Sequence, residues 1–146
     1  MDRALDERLM RRAIGLARAA LGTTGDNPAV GCVIARGEMV LAEAATAPGG
    51  RPHAEEQALA IAGEAARAAA AYVTLEPCAE RSSRALSCAQ LLAAAGIARV
   101  VVAAADPSPK ASARGDESLR KAGVSLETGF LADEADPLYA EYRNRF

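Results

Sequence analysis

His53, Glu55, Cys78 and Cys88 are the side chains whose types and spacing could do chemistry together. His53 is the chain's one histidine and stands in Arg51-Pro52-His53-Ala54-Glu55-Glu56; the cysteines follow in Leu75-Glu76-Pro77-Cys78 and at Cys88. One imidazole and two thiolates can give a zinc ion three ligands, and with no fourth ligand evident, one coordination place stays open for water. A metal with an open place, beside a carboxylate that can move protons, is equipment for hydrolysis. His-x-Glu alone is common, and a lone cysteine is usually a small core residue, so the weight lies in the combination. The alternative is a structural metal or none. Cys32, inside the apolar run Val30-Gly31-Cys32-Val33-Ile34, reads as core.

The elements around these residues alternate helix and strand. Apolar side chains at Leu5, Leu9, Ala13, Leu16, Ala17 and Ala20 predict a helix over about 2–21, with Asp6, Arg8, Arg11, Arg12 and Arg18 on its solvated face. Strands are expected at about 29–35 and 39–45, with Arg36-Gly37-Glu38 as a hairpin turn. After a loop rich in Gly and Pro, His53 and Glu55 open a helix of about 53–69, with Leu59, Ala62 and Ala66 toward the core. A strand over 71–75 delivers Pro77-Cys78. Ser87 caps a helix of 88–95 that starts at Cys88 and stops at Gly96. The unbroken apolar run in 98–104 suits a strand covered on both faces. A helix near 114–122, a short strand at 124–126 and a helix opening at Asp136-Pro137 complete an α/β domain.

The ligand pattern resembles the zinc-dependent cytidine-deaminase-like superfamily, whose signature is H-x-E followed by P-C-x-x-C. Within it the chain is most similar to the deaminase domain of RibD-type riboflavin-biosynthesis proteins. The similar segments are Asn27-Pro28-Ala29-Val30-Gly31-Cys32-Val33-Ile34, Pro52-His53-Ala54-Glu55, Ala71-Tyr72-Val73-Thr74-Leu75-Glu76-Pro77-Cys78, the stretch 91–101 and Asp106-Pro107-Ser108-Pro109. The resemblance implies a three-layer α/β/α cytidine-deaminase-like fold with a central mixed sheet of about five strands. It implies zinc on His53, Cys78 and Cys88, and Glu55 as the general acid/base that takes a proton from water and returns it to the ring and to the departing ammonia. The other reading of Glu55 is a surface acid in a helix's first turn, where acids are favoured anyway; Glu56, in the same turn, is taken as solvated. The family also places the Asn of its Asn-Pro motif against the substrate, which makes Asn27 a substrate-binding candidate, although Asn before Pro equally suits a turn.

Between the cysteines the family pattern S-H-x-G-[KR]-T-P-P is replaced by Ala79-Glu80-Arg81-Ser82-Ser83-Arg84-Ala85-Leu86-Ser87, one residue longer and without His or Thr-Pro-Pro. Arg84 or Arg81 can stand in for the basic residue and Ser83 or Ser82 for the hydroxyl. The implied substrate is diaminohydroxyphosphoribosylaminopyrimidine. The altered loop leaves another nucleobase, nucleoside or aminated heterocycle as the alternative, and a non-catalytic zinc module as a third reading that Glu55 argues against.

Length and composition set the bounds. The 146 residues are expected to form a single zinc-dependent deaminase domain over 1–146, so a reductase step would need another polypeptide. No run of roughly 18 apolar residues is available to span a bilayer, and no secretory signal opens the chain. Three cysteines, two assigned to metal, suit a reducing cytoplasm. A net charge of −2, with only three Tyr and two Phe, supplies neither the basic groove nor the stacking platforms of a nucleic-acid binder. A small-molecule substrate is expected, and the resemblance implies a homodimer or higher homo-oligomer.

Overall fold

A computed structural model describes residues 2–78, 87–107 and 114–144. It contains five strands, β1 (Gly31–Arg36), β2 (Met39–Ala45), β3 (Ala70–Leu75), β4 (Arg99–Ala104) and β5 (Ser125–Glu127), in the order β2-β1-β3-β4-β5. The helices are α1 (Arg3–Ala20), α2 (Ala54–Ala62), α3 (Cys88–Ala94), α4 (Arg114–Lys121), α5 (Ala132–Ala135) and α6 (Ala140–Arg143).

The sheet is mixed because β1 is antiparallel to both its neighbours, while β3, β4 and β5 pair in parallel. It follows that β2 also runs parallel to β3. The links β2-α2-β3, β3-α3-β4 and β4-α4-β5 all step the same way across the sheet, so right-handed crossover places α2, α3 and α4 on one face. Contacts of α3 with both α2 and α4 agree with this. On the other face α1 crosses β1 and β3 and joins the C-terminal helices through Arg11 and Glu134, 3.0 Å apart. The result is the expected three-layer α/β/α arrangement around a five-stranded mixed sheet.

One close approach fixes α1 against the sheet. A Cβ on Gly31 would lie 1.9 Å from the Ala13 carbonyl oxygen, so the first residue of β1 has no room for a side chain. The central strands are covered on both faces as their sequences predict: Val33, Ile34, Val73, Val100 and Val101 are fully buried.

Four expectations need correction. Asp6 is not on a solvated face; it is 2% exposed and accepts hydrogen bonds from Arg99 Nη1 (2.9 Å) and Nη2 (2.8 Å) and from Tyr72 Oη (2.7 Å). Helix-face arithmetic cannot foresee a cation arriving from a strand 93 residues away. The helix expected over 53–69 ends at Ala62, because Gly63 takes φ 56, and a short 3-10 turn, Gly63–Ala66, follows. Ala66 is buried there, whereas Leu59 and Ala62 are only half-buried. The C-terminal helical stretch does not open at Asp136: it starts at Ala132 behind Leu131, whose φ is 57, and Asp136 is already helical, so the Pro137 signal marks a 3-10 segment within it. Glu56, finally, is half-buried and closes the turn that carries His53: its Oε1 accepts from the His53 backbone N–H at 3.1 Å.

Candidate metal centre and active site

Every chemistry-bearing element points to the same end of the sheet. The C-terminal ends of β2, β3 and β4 lie there with the N-terminal end of β1, the place where parallel sheets commonly hold ligands. His53 is the N-cap of α2, with Glu55 in its first turn. Cys78 follows β3, and Cys88 is the first residue of α3 behind Ser87, whose hydroxyl accepts from the Gln90 N–H at 3.2 Å while Gln90 Oε1 accepts from the Ser87 N–H at 2.8 Å. That capping box fixes the start of α3.

The three expected ligands come together. One ligand atom from each of His53, Cys78 and Cys88 lies within 4.8 Å of the others, and His53 Nδ1 is 3.4 Å from Cys88 Sγ. A tetrahedral ion with Zn–S of ~2.3 Å and Zn–N of ~2.0–2.1 Å puts sulfur and nitrogen about 3.5 Å apart, which the His53–Cys88 pair matches. The peptide groups opening α3 serve Cys78: the Cys88 N–H donates to its sulfur at 3.3 Å and the Ala89 N–H to its carbonyl at 3.1 Å. Hydrogen bonds from the Cys88 and His53 side chains, the Cys88 one first, and from that N–H hold the Cys78 thiol down at about 4, against the opposing effect of burial. It is a thiolate at neutral pH, the form a metal needs.

Cys32 lies outside this group. It is completely buried, and burial first, then the nearby Glu55 charge, pushes its thiol well up. A protonated core thiol is the behaviour expected of it.

Glu55 is 4% exposed. Burial is the main cause that pushes its carboxyl up to about 7; the Cys78 charge adds to this and His53 opposes it. A carboxyl poised near neutrality can accept and return a proton at working pH. With His53, Asn27 and Cys78 it lines a cavity of about 160 Å³, suited to a small ring.

Asn27 proves to be both turn and wall. Its backbone is held by Thr24, whose hydroxyl donates to the Asn27 carbonyl at 2.7 Å, and its amide Nδ2 donates to the Gly50 carbonyl at 3.0 Å. Gly50 has φ +99, and a Cβ there would meet Asn27 Nδ2 at 2.4 Å, so the loop before His53 is shaped around Asn27. Arg81, Ser83 and Arg84 lie outside the described residues. Among the titratable residues of the cavity, Glu76, Asp106 and Tyr142 were not singled out from sequence as site residues. Asp106 stands just past the end of β4, which was a usable signal. Tyr142, on the last helix, carried none.

Residues 3–104 match the model of the cytidine and deoxycytidylate deaminase zinc-binding region. The chain is 43% identical over 140 residues to riboflavin biosynthesis protein RibD of Escherichia coli K12, covering 96% of this chain and 38% of that protein. It is 42% identical over 126 residues to the diaminohydroxyphosphoribosylamino-pyrimidine deaminase of Buchnera aphidicola subsp. Acyrthosiphon pisum, covering 86% of this chain and 85% of that one. Among solved structures, RibD of Acinetobacter baumannii superposes with a TM-score of 0.91 at 41% identity, over 97% of this chain and 40% of that chain. The chain thus spans about two fifths of the RibD relatives and most of the Buchnera protein. No helix among the described residues is long and apolar enough to cross a membrane. A family match over most of the chain, and a thiolate and imidazole group spaced for zinc, lead to one assignment: this chain belongs to the zinc-binding cytidine and deoxycytidylate deaminase family.

Proposed function

We propose that the chain is a zinc-dependent aminohydrolase that removes a ring amino group from diaminohydroxyphosphoribosylaminopyrimidine. The observation that carries the reading is a buried Glu55, its carboxyl near 7, on the same small cavity as His53 and Cys78. The choice of ring rests on the relatives, above all the Buchnera deaminase, of which the chain covers 85%.

In this reading His53, Cys78 and Cys88 hold the metal. Zinc there supplies Lewis acidity, which brings the pKa of a water toward ~7. Glu55 takes a proton from the attacking water and gives it to the ring nitrogen beside the carbon under attack. It then moves the remaining hydroxyl proton to the amino group, so that the C–N bond breaks as the carbonyl forms and ammonia leaves neutral. Asn27, fixed by Gly50 and Thr24, orients the ring from the opposite loop. Arg84, Arg81 and Ser83 are assigned to the phosphate end. The reduced cysteines suit a cytoplasmic setting, and a homo-oligomer follows from the family resemblance.

The test is ammonia release from the phosphoribosylated diaminopyrimidine beside cytidine, deoxycytidylate and free aminopyrimidines, with zinc measured on the same preparation. The expected result is about one zinc per chain and a preference for the ribotide on the order of tenfold or more. Zinc-loaded protein that turns over none of these compounds refutes the reading. Preference for another ring moves it to the alternative substrate class.

A further inference from the structure

The peptide group that joins Pro52 to His53 is held at both of its poles by side chains of the helix that His53 caps. Its N–H donates to Glu56 Oε1 at 3.1 Å. Its carbonyl, that of Pro52, accepts from Gln57 Nε2 at 3.0 Å and from the Ala47 N–H at 3.1 Å. The same Gln57 nitrogen donates to the carbonyl of Ala45, the last residue of β2, at 2.7 Å, and lies 3.5 Å from the His53 carbonyl, which already accepts from the Gln57 backbone N–H at 3.2 Å. A side-chain amide has two protons to give. Here the two shortest bonds tie the end of a strand to the peptide group that leads into His53. Gln57 is half-buried and does not line the cavity.

We propose that Gln57 is a positioning residue for the metal centre, acting on His53 through the backbone. A peptide group is planar, so holding its carbonyl and its N–H on opposite edges fixes the whole plane. On the other side of the His53 Cα, helix α2 fixes the chain. His53 is left at φ −70 and ψ 160, and this sets the direction from which its ring brings Nδ1 to 3.4 Å from Cys88 Sγ. Without the Gln57 donor the Pro52 carbonyl keeps only Ala47, and the end of β2 is untied from the loop. A functional constellation tolerates displacements of only about 0.5 Å, so drift in that peptide plane weakens the metal. Glu55 leaves the first turn of the same helix, so the clamp also sets how the proton carrier faces the ligand. The inference rests on the functional reading above for a metal at His53, and it is independent of which ring is the substrate.

The test compares the unmodified protein with Gln57→Met, which keeps the length and removes the donor, and Gln57→Glu, which keeps the shape and turns acceptors toward the carbonyls. Zinc affinity is measured by competition with a chromophoric chelator, and metal-stripped protein is refilled with Co2+ to record its thiolate and d–d absorption. Both variants are expected to bind zinc about 10- to 100-fold more weakly, the usual scale for a group that orients a metal ligand, and to shift the Co2+ bands. Fully loaded with zinc, they should lose kcat on whichever ring the unmodified protein turns over, with KM within about twofold. Zinc affinity within about threefold of the unmodified protein in either folded variant, whatever its Tm, overturns the inference, since Gln57 is then only a fastener of the loop. Loss of the fold in both variants overturns it as well, because that assigns the amide to stability. An unmodified protein that binds no zinc refutes the functional reading, and the inference falls with it. One that binds zinc but turns over no ring refutes the functional reading alone, and the affinity and Co2+ measurements still decide the role of Gln57.

Discussion

Tyr139→Phe isolates the buried hydrogen-bond chain that joins the last helical stretch to the active-site end of the sheet. The Gly31 N–H donates to Thr74 Oγ1 at 3.0 Å, Thr74 and Tyr139 share a bond of 2.7 Å, and Tyr139 Oη donates to the Ala29 carbonyl at 2.8 Å. Tyrosine has one hydroxyl proton, so Thr74 must be the donor to it, and removing the phenol oxygen strips a partner from two buried groups at once. An orphaned buried polar group costs ~1–3 kcal/mol. Part of that is recovered because phenylalanine is easier to bury and because the Thr74 hydroxyl still accepts from Gly31, which leaves a net loss of about 2–4 kcal/mol. At ~2–4 °C per kcal/mol for a chain of this size, Tm should fall by roughly 5–15 °C. Thermal unfolding followed by circular dichroism measures it, and Thr74→Val with the double variant supplies the coupling energy. A Tm within ~2 °C of the unmodified protein, or strictly additive single and double variants, would falsify the hydrogen-bond chain as a source of stability.

Three further outcomes follow from the same geometry. Glu55→Gln should keep the metal and the fold while kcat drops by at least 10²–10⁴-fold, the usual scale of general acid/base catalysis; turnover within about tenfold of the parent refutes the proton role assigned to Glu55. Asp6→Asn should cost about 1–3 kcal/mol, because it weakens the hydrogen bonds to Arg99 and Tyr72 and leaves Arg99 with Glu127 as its remaining carboxylate. Arg99 first, then Tyr72 and Arg3, hold the Asp6 carboxyl well below the carboxylate range against the effect of burial. Its stabilisation is therefore complete above the unfolded value of ~3.9 and is lost as pH falls toward the folded value. The variant should show a flatter acid limb in stability against pH, and an unaltered limb would count against the pair. Arg84→Ala should raise KM for the phosphorylated substrate well above its effect on the dephosphorylated one, as loss of a charge-assisted bond to phosphate requires; equal effects on both reject a phosphate role for Arg84.

Much of the fold was legible because its signals are local. The apolar run Arg99-Val100-Val101-Val102-Ala103 reads as a central strand without reference to any other element, and Ser87 before Cys88 reads as a cap because the capping bond spans only three residues. The misread elements are those decided at a distance or by a single torsion angle. Asp6 looked like one more charge on an exposed face until Arg99 met it from β4. Gly63 cut α2 short through a backbone conformation that composition around it does not announce. Asp136-Pro137 carries a sound helix-opening signal, but the turn at Leu131 had already started the helix.

The site divides along the same line, with a physical reason for the division. His53, Glu55, Cys78 and Cys88 occupy helix starts and a strand end, where the side chains allowed are few and the peptide N–H groups of α3 themselves favour a thiolate at Cys78. Chemistry so dependent on local backbone leaves a pattern in the sequence. The rest of the cavity wall has no such tie: a side chain can be brought to it from any element that reaches it. Tyr142 reaches it from the last helix, through Tyr139 and a bond to strand β3 that spans 65 residues, and no spacing rule connects those positions. The metal and proton chemistry is accordingly legible in the chain's motifs, whereas the far wall of the cavity is built from distant segments that the sheet gathers at one end.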